Sequence, residues 1–333
     1  MSDTLSKQAS GARPGGARGV LDAVLRTVRD RGSAALAVVL ETEGSTYAKA
    51  GALAYFGTAP RQIGWLSGGC LEPEIERRAA VVAASSAFDV MNIDTRDDED
   101  LFSGSAIGCR GRLRLLLLPI QQLDRSDELI EAWCNGAGDL CIRMQDDGLV
   151  HWQVGANSHS WQLQRVATAG HVVSAAGQVR LARPASLLIM GAGPEAPVLL
   201  PQLRMLGWFS TVVERRERWQ DHLALADVAL IESPQRAIER ARPGQFNAAL
   251  VMHHHFELDR QALHDLAATD IPFIGLLGPV RRREDLFKLL PQAVISALMP
   301  RLHSPVGLDL GGLGIESIAL SIAAQLQSHL HAR

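Results

Sequence analysis

The sequence predicts an α/β chain of two domains, a mixed α/β domain followed by a doubly wound parallel sheet. Three observations carry this. The chain has 333 residues, 47% of them hydrophobic, which is more than one ordinary core accommodates. From residue 186 onward short apolar runs alternate with helical patterns, as a parallel sheet requires. Before that point the strands are mixed with only a few helices. Lys+Arg 33 against Asp+Glu 36 leaves a net charge of -3, so no global basic field points to nucleic acid or an anionic membrane. The four cysteines, at 70, 109, 134 and 141, form no CxxC pair, and the first residues lack an apolar secretion core. A cytoplasmic protein with reduced thiols is expected. The run 113–120, interrupted by Arg114, is far short of a membrane span.

In chain order, residues 1–19 mix Ser, Gly, Ala, Pro and Arg without periodicity and are read as a flexible tail. Val20, Val24, Leu25 and Val28 predict a helix over 20–31, ended by Gly32. A buried strand follows over 34–41, then a turn at 42–46 and a second strand over 51–56, which sets Gly44 and Ser45 in a candidate binding loop. Gly68 and Gly69 lead into a helix over 71–85, with Cys70 at the junction and Glu72, Glu74 and Glu76 in its first turns, where they suit the dipole. Two readings of this turn stand side by side. Helix-terminus amides and a field-stabilised thiolate would suit an anion or a soft metal, whereas a tight turn with a small buried cysteine would be purely structural.

Residues 88–95 form a strand and 96–100 a charged turn. Residues 104–111, Gly-Ser-Ala-Ile-Gly-Cys-Arg-Gly, make a second cysteine-bearing glycine loop before the strand 112–119. A helix is expected over 126–135 and short strands over 149–154 and 160–166. Cys134 and Cys141, and likewise Trp152 and Trp161, are assigned to packing. This weakly patterned stretch completes the first domain, placed at 20–183.

The second domain, 184–333, opens with the strand 186–190, then Gly191-Ala-Gly193-Pro-Glu-Ala196, a helix to about 206, and the strand 209–213 ending in Glu214. Strand, GxGxxA, helix, strand and terminal acid in this order are the fingerprint of a Rossmann-like βαβ unit. They make Gly191, Gly193, Ala196 and Glu214 candidate NAD(P)-binding residues. Arg215 and Arg216 read as a solvated turn or as a 2′-phosphate contact. Strands at 228–232, 248–252 and 273–277 and helices at 234–241 and 259–268 continue the alternation. His253, His254 and His255 stand at the end of the fourth strand, where extended backbone would turn His254 away from the other two and disfavour a three-histidine metal site. A third glycine-rich loop, 303–314, opens a helix striped by Ile315, Ile318, Ala319, Ile322 and Leu326.

Taken together, GGCLE at 68–72, Gly108-Cys109, GAGPEA, His254 with Glu257-Leu-Asp259, Phe273-Ile-Gly-Leu-Leu-Gly278 and the run from His303 to Leu326 resemble the XdhC/CoxI family. The resemblance implies a non-enzymatic accessory protein, a chaperone that holds molybdenum cofactor during its sulfuration and delivers it to apo xanthine dehydrogenase. Its implied partners are the molybdenum subunit of that enzyme and a cysteine desulfurase as sulfur donor, and its implied state is a homo-oligomer, taken as a homodimer. It places cofactor binding on Cys70, Gly68, Gly69, Glu72, Gly44, Ser45 and Cys109, with Cys70 toward the molybdenum, and leaves His254 and Asp259 as further candidates. Where the family carries Gly-Ser-x-Pro-Arg-Arg-Pro-Gly, this chain has Gly44-Ser-Thr-Tyr-Ala-Lys-Ala-Gly51, without the arginine pair. Two other functions fit the residues: an NAD(P)-dependent oxidoreductase with His254 as acid or base, and a scaffold whose glycine loops are structural.

Overall fold

The computed structural model describes residues 16–58, 61–69, 71–94, 111–167 and 173–332. The chain divides into two compact units at Arg183/Pro184.

The first unit is mixed α/β. Helix α1 (Ala17–Arg29) precedes strands β1 (Ala35–Gly44), β2 (Leu53–Phe56) and β3 (Gln62–Ile63), helix α2 (Glu72–Ser85), and strands β4 (Asp89–Asp94) and β5 (Gly111–Pro119). These five strands form one antiparallel sheet in the order β3-β2-β1-β5-β4. Helix α3 (Ser126–Cys134) then leads to a four-stranded antiparallel sheet, β8-β7-β6-β9, made of β6 (Leu140–Met144), β7 (Leu149–Val154), β8 (Asn157–Gln162) and β9 (Gly177–Leu181).

The continuous apolar runs of β1 and β5 are explained by burial on both faces. Successive side chains of a strand point to opposite sides. Ala35, Ala37 and Val39 of β1 with Leu113, Leu115 and Leu117 of β5 meet Ile75, Ala79 and Val82 of α2. Leu36, Val38, Leu116 and Leu118 face the other way, into a core shared with α1, α3 and Trp152 of the second sheet. Trp152 is fully buried, and Trp161 meets it edge to face with ring centroids 5.7 Å apart, so both are packing residues.

Several expected boundaries move. Helix α1 begins at Ala17, so residues 17–19 are helical rather than tail, and both Arg18 and Gly19 are buried. Strand β1 runs on through the expected turn to Gly44, because β5 supplies ladder partners as far as Gly44↔Gly111 beyond a register shift between Val39 and Glu41. Strand β8 starts at Asn157, paired with Val154 across a two-residue turn, rather than at residue 160. The expected turn at 96–100 and the loop 104–110 lie outside the described residues.

The second unit is a Rossmann-like doubly wound sheet. Strands β10 (Ser186–Met190), β11 (Phe209–Val213), β12 (Val228–Leu230), β13 (Ala248–Val251), β14 (Ile274–Leu276) and β15 (Leu302–His303) lie in the order β12-β11-β10-β13-β14-β15. Every neighbouring pair is parallel. Helices α4 (Ala196–Met205) and α9 (Ile315–His331) share one core with Leu187 and Ile189 of β10. Helices α6 (Phe256–Leu266), α7 (Val280–Phe287) and α8 (Gln292–Leu298) share the other with Leu188 and Met190, and α5 (Pro234–Glu239) contributes Ala237 to it. Of the expected α9 stripe, Ala319, Ile322 and Leu326 are buried, while Ile318 is exposed. The strand order reverses between β10 and β13, the place where an open α/β sheet presents a crevice at its carboxyl edge. Helices α7 and α8 and strand β15 were not anticipated from the sequence.

Candidate functional sites at two glycine turns

In the first unit the turn before α2 is folded around its own carboxylate. Gly68 and Gly69 have φ of +66° and +112°, a region that L side chains rarely adopt. The turn thereby aims its amides inward. Glu72, the first residue of α2 and almost fully buried, accepts from the amides of Leu66 at 3.0 Å, Ser67 at 2.9 Å and Gly69 at 2.9 Å, and from the Ser67 hydroxyl. Ser67 Oγ in turn accepts from the Leu71 amide at 2.9 Å. Burial pushes the Glu72 carboxyl up, but these donors outweigh it and hold it below the usual glutamate range. Glu72 is therefore not an accessory to the helix dipole. It is the anion for which those amides are preorganised.

What remains for a ligand lies around this turn. Gly68 lies beside the Tyr47 ring, which a Cβ there would meet at 3.4 Å, an ordinary contact, so its left-handed backbone rather than lack of space calls for glycine. Gly111, paired with Gly44, is pressed on the other side against Thr46, Ser45 and Glu43, where a Cβ would stand 2.7 Å from the Ser45 carbonyl. The Thr46 hydroxyl donates to the Ala48 carbonyl at 2.7 Å and fixes the turn. The structure thus brings Gly44, Ser45 and Tyr47 beside Gly68 and Gly111, which stand two residues before Cys70 and two residues after Cys109 in sequence. Cys70 and Cys109 themselves lie outside the described residues. Tyr47 is 59% exposed and Trp65 56%. Sequence reading missed both, although an aromatic content of only 5% makes two bare rings beside glycine turns a usable signal.

In the second unit the expected nucleotide residues all stand at the carboxyl edge of the sheet, but their polar groups are engaged. The Glu214 carboxylate is buried and takes four donors. Oε1 accepts from the Arg216 amide at 2.9 Å and Nε at 2.8 Å, while Oε2 accepts from the Ala192 amide at 3.0 Å and Arg216 Nη2 at 2.5 Å. Arg216 Nη1 also donates to the His253 carbonyl at 2.7 Å. Arg216 is thus a clamp on Glu214 rather than a solvated turn residue.

Glu195, also buried, lies 2.8 Å from Nε2 of the half-exposed His254. The hydrogen bond to Glu195 raises the His254 pKa above the ordinary histidine value against the opposing effect of burial. Burial raises that of Glu195, but His254 and the residue's own amide more than compensate, leaving it lowered. His254 has φ +53°, so the extended geometry expected for the three histidines does not hold. Each histidine has a separate role: His253 Nδ1 pairs with Asp259 at 3.0 Å, His255 caps α6, and His254 meets Glu195. Asp259, buried and also bonded to Arg282 at 2.6 Å, anchors the strand end.

A mixed α/β unit followed by a six-stranded sheet in Rossmann order defines a two-unit α/β protein with a glycine turn at the head of a helix in each unit. Two family models match it, one described as the XdhC and CoxI family over residues 27–94 and one as the XdhC Rossmann domain over residues 187–326. The chain belongs to the XdhC and CoxI family. It is 27% identical to a protein of Bacillus subtilis described as a probable xanthine dehydrogenase subunit, over 92% of this chain and 95% of that one. It is 30% identical to the uncharacterized protein YqeB of Escherichia coli, over 42% of this chain and 26% of that one. Its fold is similar to the crystal structure of a xanthine dehydrogenase from Bacillus halodurans, with a TM-score of 0.70, 24% identity and coverage of 93% and 96% of the two chains. Among the described residues no helix is long and apolar enough to cross a membrane.

Proposed function

We propose that this protein is a maturation factor for a xanthine dehydrogenase-type enzyme, holding molybdenum cofactor as cargo while it is sulfurated and passing it to the apo-enzyme. The observation that carries this reading is the loop cluster of the first unit, where Gly68 lies against the ring of the exposed Tyr47, Gly111 is packed tightly on residues 43–46, and Trp65, three residues before Gly68, is also exposed. Family membership and the name of the Bacillus subtilis relative support the choice of target. The cargo is a flat pterin carrying a phosphate and a metal–sulfur centre. Exposed aromatic rings suit the pterin face, as they suit any planar heterocycle. Cys70, between Gly69 and Leu71 in sequence, supplies the soft sulfur that such a metal centre prefers, with Cys109 as a second thiol. Since Glu72 occupies the inward amides, the phosphate is held elsewhere in the cluster. A cysteine desulfurase serves as sulfur donor and a homodimer is the working assembly. With a net charge of only -3, docking to the target is expected to depend modestly on salt.

The test is to purify the protein from cofactor-replete cells and read pterin fluorescence and visible absorbance. Cys70→Ala should melt within a few degrees of the parent and lose most bound cofactor and target activation, whereas Cys134→Ala should retain both. Cofactor retained by Cys70→Ala together with normal activation would remove the thiolate from the proposal. Absence of cofactor from the parent would favour a scaffold.

A further inference from the structure

We propose that the second unit binds no dinucleotide, and that its glycine fingerprint instead seats the chain's own Glu195–His254 pair at the crevice. A dinucleotide fold needs a ribose-binding carboxylate at the end of the second strand, unspent amides at the first helix for the diphosphate, and a second glycine bare enough for the diphosphate to approach. Here the carboxylate and the glycine space are taken by other parts of the chain, and most amides of the helix start are absent or engaged.

A carboxylate offers about four lone-pair positions, and Glu214 fills four with Ala192 and Arg216 while being only 1% exposed. At the helix, Pro194 and Pro197 have no N–H, the Gly191 amide donates to Val213, the Ala192 amide to Glu214, the Ala196 amide to Gly193, and the Val198 and Leu199 amides to the Glu195 carbonyl. The space that Gly193 leaves open is filled by an imidazole, since a Cβ there would stand 2.9 Å from Cδ2 of His254. Beside it the Glu195 carboxylate would repel a diphosphate.

The seat is therefore occupied by an imidazole that remains half exposed, with Glu195 bonded to it at 2.8 Å and Asp259 and Arg282 acting on it through their charges. The αL backbone of His254, unusual for a residue other than glycine, is the conformation that delivers the ring to Gly193. This inference is independent of the cargo reading, which concerns the first unit alone.

The experiment uses the full chain with carbon-13-labelled histidine, the His254 signal being assigned by its loss in His254→Gln. NAD, NADH, NADP, NADPH and FAD are each added to millimolar concentration while that signal and the melting temperature are followed. The expected result is no saturable change in either, and a lower titration midpoint for His254 in Glu195→Gln than in the parent. Saturable binding of any of the five at submillimolar concentration overturns the proposal, as does a His254 midpoint indifferent to Glu195→Gln.

Discussion

The two units each carry a glycine turn at the head of a helix, and each turn is organised by a buried glutamate, but the glutamates come from different distances. In the first unit Glu72 lies within six residues of every donor it accepts, and the turn closes on itself while its outer side keeps Tyr47 and Trp65 bare. In the second, Glu214 stands 22 residues beyond Ala192, and Glu195 meets an imidazole 59 residues away, so that the turn is sealed by the tertiary fold. A locally closed turn shapes a surface without covering it. A turn closed by remote residues has given up that surface.

The sharpest break between them is expected at Glu214. Glu214→Ala leaves Arg216 and the Ala192 amide facing a buried void, and urea titration should show a loss of about 3 kcal/mol. Glu72→Gln comes next: it keeps one acceptor oxygen and turns an NH2 toward groups that themselves donate, at a cost of about 2 kcal/mol by the same measurement. If Glu72→Gln costs nothing, the first turn is not built on its carboxylate. Tyr47→Ala and Trp65→Ala, both at exposed rings, should change stability by no more than about 0.5 kcal/mol. Each should nonetheless weaken retention of the pterin cargo by about 1 kcal/mol or more, read as a several-fold drop in fluorescence per chain. Equal retention in both variants would clear the rings of any part in binding.

The smallest effect is that of Glu195→Gln on stability, at most about 1 kcal/mol because His254 is half exposed. Its pH dependence fixes the sign. The raised His254 pKa contributes stability that is complete below about 6.5 and fades as pH rises through the folded value, whereas the lowered Glu195 pKa contributes above about 4.3 and fades as pH falls. The melting difference between parent and variant should therefore peak between those limits and shrink toward alkaline pH. A difference growing toward pH 9 would show that the pair is not an ion pair.

The second unit was legible in the sequence because its signals are local: a five-residue strand with four apolar residues, two glycines, a helix and a closing acid. The employment of that acid was not, since Arg216 reads as one of two surface arginines until the fold turns it back onto Glu214. Pro194 and Pro197, however, were visible, and two missing amides in one helix start already argue against a diphosphate. In the first unit the turn at 42–46 was misread because the ladder that keeps Thr42 to Gly44 extended is supplied by residues 111–113. Glu72 was legible as a helix-start acid but not as the core of its turn, since φ at Gly68 and Gly69 decides where the amides point.

The pairing of β1 with β5 has a consequence for biosynthesis. The six buried residues from Ala35 to Leu40 leave the ribosome well before the strand that covers one of their two edges. At roughly 5–20 residues per second, the roughly 75 residues between Gly44 and Pro119 take about 4–15 s to appear. Through that interval α1 and α2 can already cover its faces, but β1 has only the short β2 as a paired strand, so the open backbone edge at residues 35–40 is the segment on which a ribosome-associated chaperone would be expected to act.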